Sequence, residues 1–314
     1  MNCLCCGKPL RADNPSGWHR KCIKDFFGTG VVPKINISDK TLELIVSENV
    51  SKGLTVPGVQ KKLSLHLFSK SKKPRLTIID YPTGYILKPQ VNDFRCLPEA
   101  EQLVMCMADE CSISTVPHAL ISDRGSYAYI TKRVDRVIDG DYISRLAMED
   151  FCQLDLRLTQ DKYKGSYERC AKIVERYSSR TMLDMAELFM RLVFSFIIGN
   201  SDMHLKNFSM VEKSDGSNEY VLSPAYDLLP VNIIMPEDKE ELALTLNGKK
   251  NNIRRKDFLA FADSCGISRN AAEKMICEMK SNKQRLIDMC HDSLLPEDMK
   301  ESFAALIEVR SSVL

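Results

Sequence analysis

The chain has 314 residues, of which 44% are hydrophobic, and a formal net charge of +2. A chain of this size can bury a large core, but its near-neutral charge argues against strong autonomous binding to nucleic acid. No apolar run approaches the roughly 20 residues of a membrane helix, so we predict no membrane contact. The twelve cysteines are scattered and no apolar secretion signal begins the sequence, which predicts a cytoplasmic protein.

The first 25 residues contain a possible zinc site. Cys3 and Cys6 form a C-x2-C pair, and His19 and Cys22 form an H-x2-C pair. Three thiolates and one imidazole could close a tetrahedral zinc site, which would be structural because no position remains for water or substrate. The alternative of reduced surface thiols stays open, because Cys5 is a surplus thiol and the H-x2-C spacing is tighter than usual.

A possible phosphate-binding loop and a possible charged pair follow. Residues 53–60 contain two glycines, where backbone amides could approach phosphates, and the alternating segment 63–67 predicts a strand. A short apolar strand then ends in Lys88. The helical pattern after it has an acidic first turn with Glu99 and Glu101. Either glutamate could pair with Lys88, and we favour Glu101.

The most informative motif is an Asp and an Asn five positions apart, Asp202 and Asn207, followed by Asp227. The motif follows an apolar run at 188–198 that predicts a buried helix. Phosphoryl transfer from ATP needs a carboxylate to orient the attacking hydroxyl and accept its proton, a role we assign to Asp202. Magnesium prefers carboxylate and amide oxygens, so we predict that Asn207 and Asp227 hold it. Further helical patterns occur at 145–154, and several more lie between 255 and 313.

Together these residues identify a resemblance. The chain resembles the HipA family of serine/threonine kinases, the toxins of bacterial toxin–antitoxin systems. The matching segments are V-P-G-V-Q-K-K-L-S-L at 56–65, Y-I-L-K-P-Q at 85–90, P-E-A-E at 98–101, K-R-V-D-R at 132–136, M-E-D-F-C-Q at 148–153, G-N-S-D-M-H-L-K-N-F-S at 199–209 and S-P-A-Y-D-L-L-P at 223–230.

The resemblance implies an α+β, two-lobed protein-kinase-like fold with a small β-rich N-lobe and a mainly helical C-lobe. We expect an N-terminal segment at 1–50, the N-lobe at 51–134 and the C-lobe at 135–314. It also implies that residues 131–134 form a hinge strand that meets adenine, and that His204 lies beside the phosphates. The implied nucleotide-contacting residues are Val56, Pro57, Gly58, Val59, Gln60, Lys88, Thr131, Lys132, Arg133, Val134, His204, Asn207 and Asp227.

The resemblance is to the short HipT type, because only about fifty residues precede the glycine-containing loop, too few for the N-terminal subdomain of full-length HipA proteins. That type implies a separate HipS-like small protein and a HipB-like helix-turn-helix antitoxin as partners, with DNA contacted only through the antitoxin. It implies an aminoacyl-tRNA synthetase as substrate and autophosphorylation on Thr55. Pro57 stands where some HipT proteins have a second serine.

Two alternatives remain. A small-molecule or lipid kinase would share the fold and the order of Asp202, Asn207 and Asp227, but the match at 199–209 argues against it. A pseudokinase or regulatory nucleotide-binding module would bind without transferring phosphate. The presence of all the predicted catalytic residues argues against this second alternative.

Overall fold

The computed structural model describes residues 2–11, 14–35, 62–68, 74–77, 83–123, 125–139 and 142–314. The predicted phosphate loop, including Thr55 and residues 56–60, lies outside the described residues. The chain forms two compact units. The first comprises residues 1–102, 117–133 and 138–143, and the second comprises 103–116, 134–137 and 144–314. Within the part of the chain described, no helix is long and apolar enough to cross a membrane.

The first unit is built on a mixed sheet. Its described strands number six and follow the order β1-β3-β2-β4-β6-β5, antiparallel except for the parallel pair of β1 and β3. In chain order the elements are α1 (Arg20–Phe27), β1 (Lys34–Ile35), β2 (Leu63–Phe68), β3 (Arg75–Thr77), β4 (Tyr85–Pro89), the start of α2 (Leu97–Glu110), β5 (His118–Asp123) and β6 (Ser126–Lys132).

The N-terminal segment contributes to the same core as the strands. Helix α1 buries Ile23, Phe26 and Phe27, and Trp18 packs against both phenylalanines, with its ring centroid 5.6 Å from that of Phe26 and 5.3 Å from that of Phe27. The Tyr85 ring of β4 lies 6.0 Å from Phe26, and its hydroxyl donates to the Phe26 carbonyl at 3.2 Å. Aromatic pairs of this kind add stability beyond the area they bury, so the segment is an integral part of the first unit.

Strands β7 (Arg136–Asp139) and β8 (Tyr142–Arg145) pair with each other. The second unit is mainly helical, with one three-stranded sheet in the order β11-β10-β9 among its residues. Its further elements are β9 (Met148–Asp150), α3 (Phe151–Leu154), a 3-10 turn (Thr159–Asp161), α4 (Tyr167–Tyr177), α5 (Thr181–Ile197), a second 3-10 turn (Leu205–Asn207), β10 (Ser209–Glu212), β11 (Tyr220–Leu222), α6 (Val231–Ile234), α7 (Arg255–Ser264), α8 (Arg269–Ser281), α9 (Lys283–His291) and α10 (Glu297–Val313).

Helix α5 is the buried helix that the apolar run predicted, and it packs against α4, α8 and α10. The prediction of a helix over 145–154 is wrong for most of its length. Residues of β9 pair antiparallel with β10, in the register Glu149 to Met210. The helix begins only at Phe151, because the Asp150 side chain caps it by accepting a hydrogen bond from the Gln153 amide. Tertiary pairing overrides the local helical pattern here.

Candidate active site

A buried ion pair in the first unit joins β4 to α2. Lys88 Nζ lies 2.5 Å from Glu101 Oε1, and both side chains are almost completely buried. The Tyr129 ring, opposite Lys88 in the β4–β6 register, lies 5.1 Å from Nζ. Glu101, rather than Glu99, therefore makes the pair. Two desolvated charges cost several kcal/mol that their attraction only partly returns, so the pair is a candidate functional feature.

In the second unit, the 199–208 segment carries the predicted catalytic residues. It follows the end of α5, and Gly199 reverses the chain with a left-handed φ of +70°. The main-chain carbonyl of Asp202 then accepts two hydrogen bonds, from the His204 amide at 2.8 Å and from Asn207 Nδ2 at 2.9 Å. The second bond fixes the spacing of Asp202 and Asn207. It also leaves the amide oxygen of Asn207 as the acceptor end of that side chain.

The Asp202 carboxylate is more accessible than the rest of this loop. Its side chain is 41% exposed, whereas Asn207 and His204 are buried. One carboxylate oxygen accepts a hydrogen bond from the Tyr163 hydroxyl and lies 3.9 Å from His204 Nε2. A partly exposed carboxylate held by a buried loop suits a group that must reach an incoming hydroxyl.

His204 is held as a neutral imidazole. Burial lowers its pKa to about 4, although the neighbouring Asp202 charge opposes the shift. The Tyr163 ring packs against it edge to face, with centroids 5.0 Å apart. Its Nδ1 is buried and makes no hydrogen bond within the described part of the chain. A neutral ring at neutral pH can donate or accept one hydrogen bond at each nitrogen without adding charge.

Asp227 lies in a loop with strained backbone. Its φ is +55°, a left-handed conformation that aspartate tolerates better than most residues. The neighbouring Tyr226 hydroxyl is bonded to Ser209 Oγ at 2.6 Å and donates to the Lys206 carbonyl at 3.1 Å. Ala225 pairs with the 114–116 segment through two backbone hydrogen bonds. Strained backbone held by such anchors is frequent at functional sites.

Comparison with known proteins places this chain in a family. The sequence model described as "HipA-like C-terminal domain" matches residues 54–286, well over half of the chain. The chain belongs to this family. Its α+β fold is a kinase-like fold. It is similar to HipA in a Shewanella oneidensis MR-1 complex of HipA, HipB and operator DNA, with a TM-score of 0.69 and 20% identity. The match covers 82% of this chain and 64% of that chain. It is also similar to the Helicobacter pylori proinflammatory kinase CtkA, with a TM-score of 0.52 and 14% identity over 78% and 90% of the two chains.

Several relatives of this HipA-like chain carry kinase names. It is 24% identical to a Haemophilus influenzae protein named "Putative kinase", over 81% of this chain and 80% of that protein. It is 28% and 34% identical to the Sinorhizobium fredii proteins "Putative kinase Y4mE" and "Putative kinase Y4dM", over 68% and 66% of this chain. The aligned region spans only 51% and 52% of those two proteins.

The predicted hinge segment of this HipA-like chain is already engaged in backbone hydrogen bonds. The amide of Lys132 donates to the Pro117 carbonyl at 3.0 Å, and the amide of Arg133 donates to the Gly84 carbonyl at 2.9 Å. The Thr131 hydroxyl also donates to Pro117, at 2.9 Å. These two amides are thus used within the first unit, and adenine binding by residues 131–134 stays a prediction.

The predicted zinc ligands come together. The sulfur atoms of Cys3, Cys6 and Cys22 and Nδ1 of His19 all lie within 4.8 Å of one another. Cys5, the surplus thiol, is directed elsewhere, because its Sγ donates to the His118 carbonyl at 3.8 Å. The fold therefore brings the four predicted ligand atoms together.

The sequence analysis missed three side-chain contacts that support the 199–208 segment and the chain just before Asp227. Tyr163 bonds Asp202 from 39 residues away. Lys206 Nζ pairs with the helix-capping Asp150 at 2.6 Å. The buried Arg191 of α5 donates to the Ser223 carbonyl at 2.7 Å, just before the Asp227 loop. No local pattern marks these contacts, although a charged residue within the apolar run 188–198 was a usable signal for Arg191.

Proposed function

We propose that this chain is an ATP- and magnesium-dependent serine/threonine protein kinase. The observation that carries the proposal is the bonding of the 202–207 loop, in which the Asp202 carbonyl holds the Asn207 side chain while the Asp202 carboxylate stays accessible. Kinases use an aspartate and an asparagine at this spacing, followed by a metal-binding aspartate. The kinase names of the relatives agree with this reaction class.

In this proposal Asp202 orients a substrate hydroxyl and accepts its proton. The hydroxyl oxygen forms a bond to the γ-phosphorus of ATP, the bond between that phosphorus and the bridging oxygen breaks, and ADP leaves. Neutral His204 adds no positive charge beside Asp202 that would weaken its role as proton acceptor. The Tyr163 hydroxyl positions the carboxylate by donating a hydrogen bond to the oxygen that also lies nearest His204.

Asn207 and Asp227 would hold magnesium. Their donor atoms fit this ion, because the amide nitrogen of Asn207 is committed to Asp202 and the remaining amide oxygen and the Asp227 carboxylate are the hard oxygen ligands that magnesium prefers. When bound, the ion would neutralise charge on the phosphates. Lys88, held by Glu101, would contact the α- and β-phosphates as the equivalent lysine–glutamate pair does in protein kinases.

The biological role we propose is that of a toxin in a HipBST-like toxin–antitoxin system in the cytoplasm. Family membership supports it, and the Shewanella HipA structure contains HipB and operator DNA. We propose a HipB-like antitoxin and a HipS-like small protein as partners, with DNA contacted through the antitoxin. The proposed substrates are an aminoacyl-tRNA synthetase and the chain's own Thr55. A phosphate there would repel the nucleotide phosphates and limit activity.

Intact-mass measurement with phosphosite mapping tests the enzymatic proposal. Phosphatase-treated protein is incubated with magnesium and ATP, beside the variants Asp202→Asn and Asp227→Asn. Asp215→Asn is the matched control, since Asp215 is an exposed aspartate of the same unit in the turn between β10 and β11. We expect phosphate on Thr55 in wild type and control and none in the two site variants. Phosphate in both site variants would overturn the proposal.

The toxin role needs its own test. Induced expression of the wild type should arrest growth, and expression of Asp202→Asn should not. Phosphopeptide analysis of the arrested cells should then show a newly phosphorylated synthetase. Robust phosphoryl transfer to a metabolite, with no phosphoprotein formed, would instead identify a small-molecule kinase. Nucleotide binding without any transfer would identify a regulatory module.

A further inference from the structure

We propose that Cys3, Cys6, His19 and Cys22 bind one structural zinc ion in the first unit. Zinc bonds of about 2.3 Å to sulfur and about 2.0 Å to nitrogen, arranged tetrahedrally, place sulfur and nitrogen ligands about 3.6 Å apart. His19 Nδ1 lies 3.4 Å from Cys6 Sγ and 3.8 Å from Cys22 Sγ. These two distances match that spacing, and all four ligand atoms lie within 4.8 Å of one another.

The imidazole of His19 presents the correct nitrogen. Its Nε2 lies 3.1 Å from the Pro9 carbonyl oxygen, which can only accept a hydrogen bond. Nε2 therefore carries the proton, and the lone pair is on Nδ1, the atom that faces the three sulfurs. Histidine ligands of zinc commonly donate their second ring N–H to a backbone carbonyl in this way, which fixes both the tautomer and the ring orientation.

The backbone around the first cysteine pair has the form of a tight ligand-presenting turn. The Cys3 amide donates to the Lys8 carbonyl at 2.8 Å, and the Gly7 amide donates back to the Cys3 carbonyl at 2.9 Å. Gly7 has φ +67°, which suits a glycine. The backbone N–H of His19 also points to Cys3 Sγ at 3.4 Å. A donor of this kind stabilises a thiolate, the form in which cysteine binds metal.

The segment that carries the ligands is bonded to elements beside the Lys88–Glu101 pair. The Leu120 amide of β5 donates to the Leu4 carbonyl at 2.8 Å. Gln102, the residue after Glu101, donates through Nε2 to the Cys5 carbonyl at 2.8 Å, and its Oε1 lies 2.9 Å from His118 Nδ1. A zinc ion would therefore stabilise the turn that is bonded to α2 at Gln102, the residue next to Glu101. The ion itself would be remote from catalysis, because its four ligands leave no open position.

Metal content of the full-length protein, purified under reducing conditions, is the first test. Elemental analysis should give one zinc per chain. Replacement by cobalt should give the visible ligand-field bands of tetrahedral cobalt and a thiolate-to-cobalt charge-transfer band in the near ultraviolet. Reduced wild-type protein that retains no stoichiometric zinc after incubation with excess zinc and desalting, or that holds iron instead, would overturn the proposal.

The adjacent thiols provide a matched pair of variants. Cys6→Ser removes a ligand and should lose bound zinc, while Cys5→Ser leaves the four proposed ligands in place and should keep one zinc per chain. Equal loss of zinc from both variants, with both folded by circular dichroism, would contradict the assigned ligand set. If Cys6→Ser does not fold, the cobalt spectrum of the wild type still decides, because an octahedral or thiolate-free spectrum would overturn the site.

Discussion

The Tyr163 hydroxyl donates a hydrogen bond to the carboxylate of Asp202. Burial and the Asp202 charge both raise the pKa of Tyr163 well above its ordinary value, so the hydroxyl remains a proton donor throughout the neutral range. The same side chain packs its ring against His204. One residue outside the 199–208 loop therefore restrains both the proposed base and its neighbouring imidazole.

We expect Tyr163→Phe to lower kcat by roughly 10-fold to 100-fold, because a hydrogen bond to a charged group contributes about 1.5–3 kcal/mol. Phenylalanine keeps the ring contact with His204, so the loop should stay folded. The KM for ATP should change little, since Tyr163 positions Asp202 rather than the nucleotide. Steady-state kinetics of phosphoryl transfer measures both constants separately.

Tyr177→Phe is the control for Tyr163→Phe. Tyr177 is a half-buried tyrosine of the same unit whose ring packs under Arg176. The kcat of the Tyr177→Phe variant should equal that of the wild type. A Tyr163→Phe enzyme with unchanged kcat, or with its whole defect in KM, would show that the Tyr163 hydroxyl does not position the base.

Two glutamates in one helix allow a sharp test of the Lys88 pair. Glu101→Gln should lower kcat/KM by roughly 100-fold or more and destabilise the protein by about 3 kcal/mol, because it leaves the buried Lys88 charge uncompensated. Glu99→Gln should be nearly neutral, since the Lys88 charge is paired with Glu101 and stays compensated in this variant. Kinetics and thermal unfolding of the two variants, side by side, make the comparison.

The opposite ranking of these two variants would reject the functional role of the ion pair. A third result, in which Glu101→Gln loses stability but keeps full kcat/KM, would show that the pair is purely structural. The shared helix removes differences in helix propensity from the comparison, because both substitutions replace a glutamate of α2 with glutamine.

Local sequence patterns predicted the secondary structure around the candidate site, whereas its long-range contacts could not be predicted. The spacing of Asp202 and Asn207 and the apolar run before them predicted the loop and the buried α5, because both signals are local. The choice of Glu101 over Glu99 depended on how α2 is oriented beside β4, which sequence spacing leaves open. Tyr163 joins Asp202 across 39 residues, and no periodicity marks such a contact. The helix predicted over 145–154 was wrong for the same reason, because the pairing of β9 with β10 decides the conformation of this segment.

Two glycines with the same backbone conformation allow the steric cost of an added methyl group to be distinguished from the cost of backbone strain. Gly199 has φ +70° and Gly216 has φ +73°. A Cβ at Gly216 would meet no atom within 4 Å, whereas one at Gly199 would lie 2.6 Å from Leu306 Cδ2 and 3.0 Å from Asn232 Oδ1. The Leu306 side chain can turn away, but Asn232 is held by bonds from its Nδ2 to two carbonyls.

We therefore expect Gly216→Ala to cost about 1 kcal/mol, the penalty for a left-handed alanine. Gly199→Ala should cost about 2 kcal/mol more, because the new methyl group overlaps a fixed side chain. Denaturant unfolding measures both values. Equal costs for the two variants would mean that the Asn232 contact yields without loss, and that Gly199 is needed only for its backbone conformation.

The buried carboxylate of Asp257 should make stability depend on acid pH. Its oxygens accept hydrogen bonds from Lys249 at 2.7 Å, from Asn247 at 2.9 Å and from the Arg254 amide at 2.9 Å. Burial alone would raise the pKa of Asp257, but these donors and the Lys249 charge outweigh it and hold the pKa below the ordinary 3.8. The stabilisation is therefore fully present above about pH 4 and is lost as the pH falls through the folded-state pKa.

Asp257→Asn should lower the free energy of unfolding by about 2–3 kcal/mol at pH 7, near the low end for breaking a buried pair because the Lys249 side chain is 37% exposed. The difference from wild type should stay constant down to about pH 4 and shrink below it, because only the wild type then loses the charged carboxylate. Asp263→Asn, at an exposed position of the same helix, should change stability by less than about 0.5 kcal/mol. Denaturant unfolding at a series of pH values measures this, and a wild-type advantage that grows toward acid pH would reverse the assigned sign of the pKa shift.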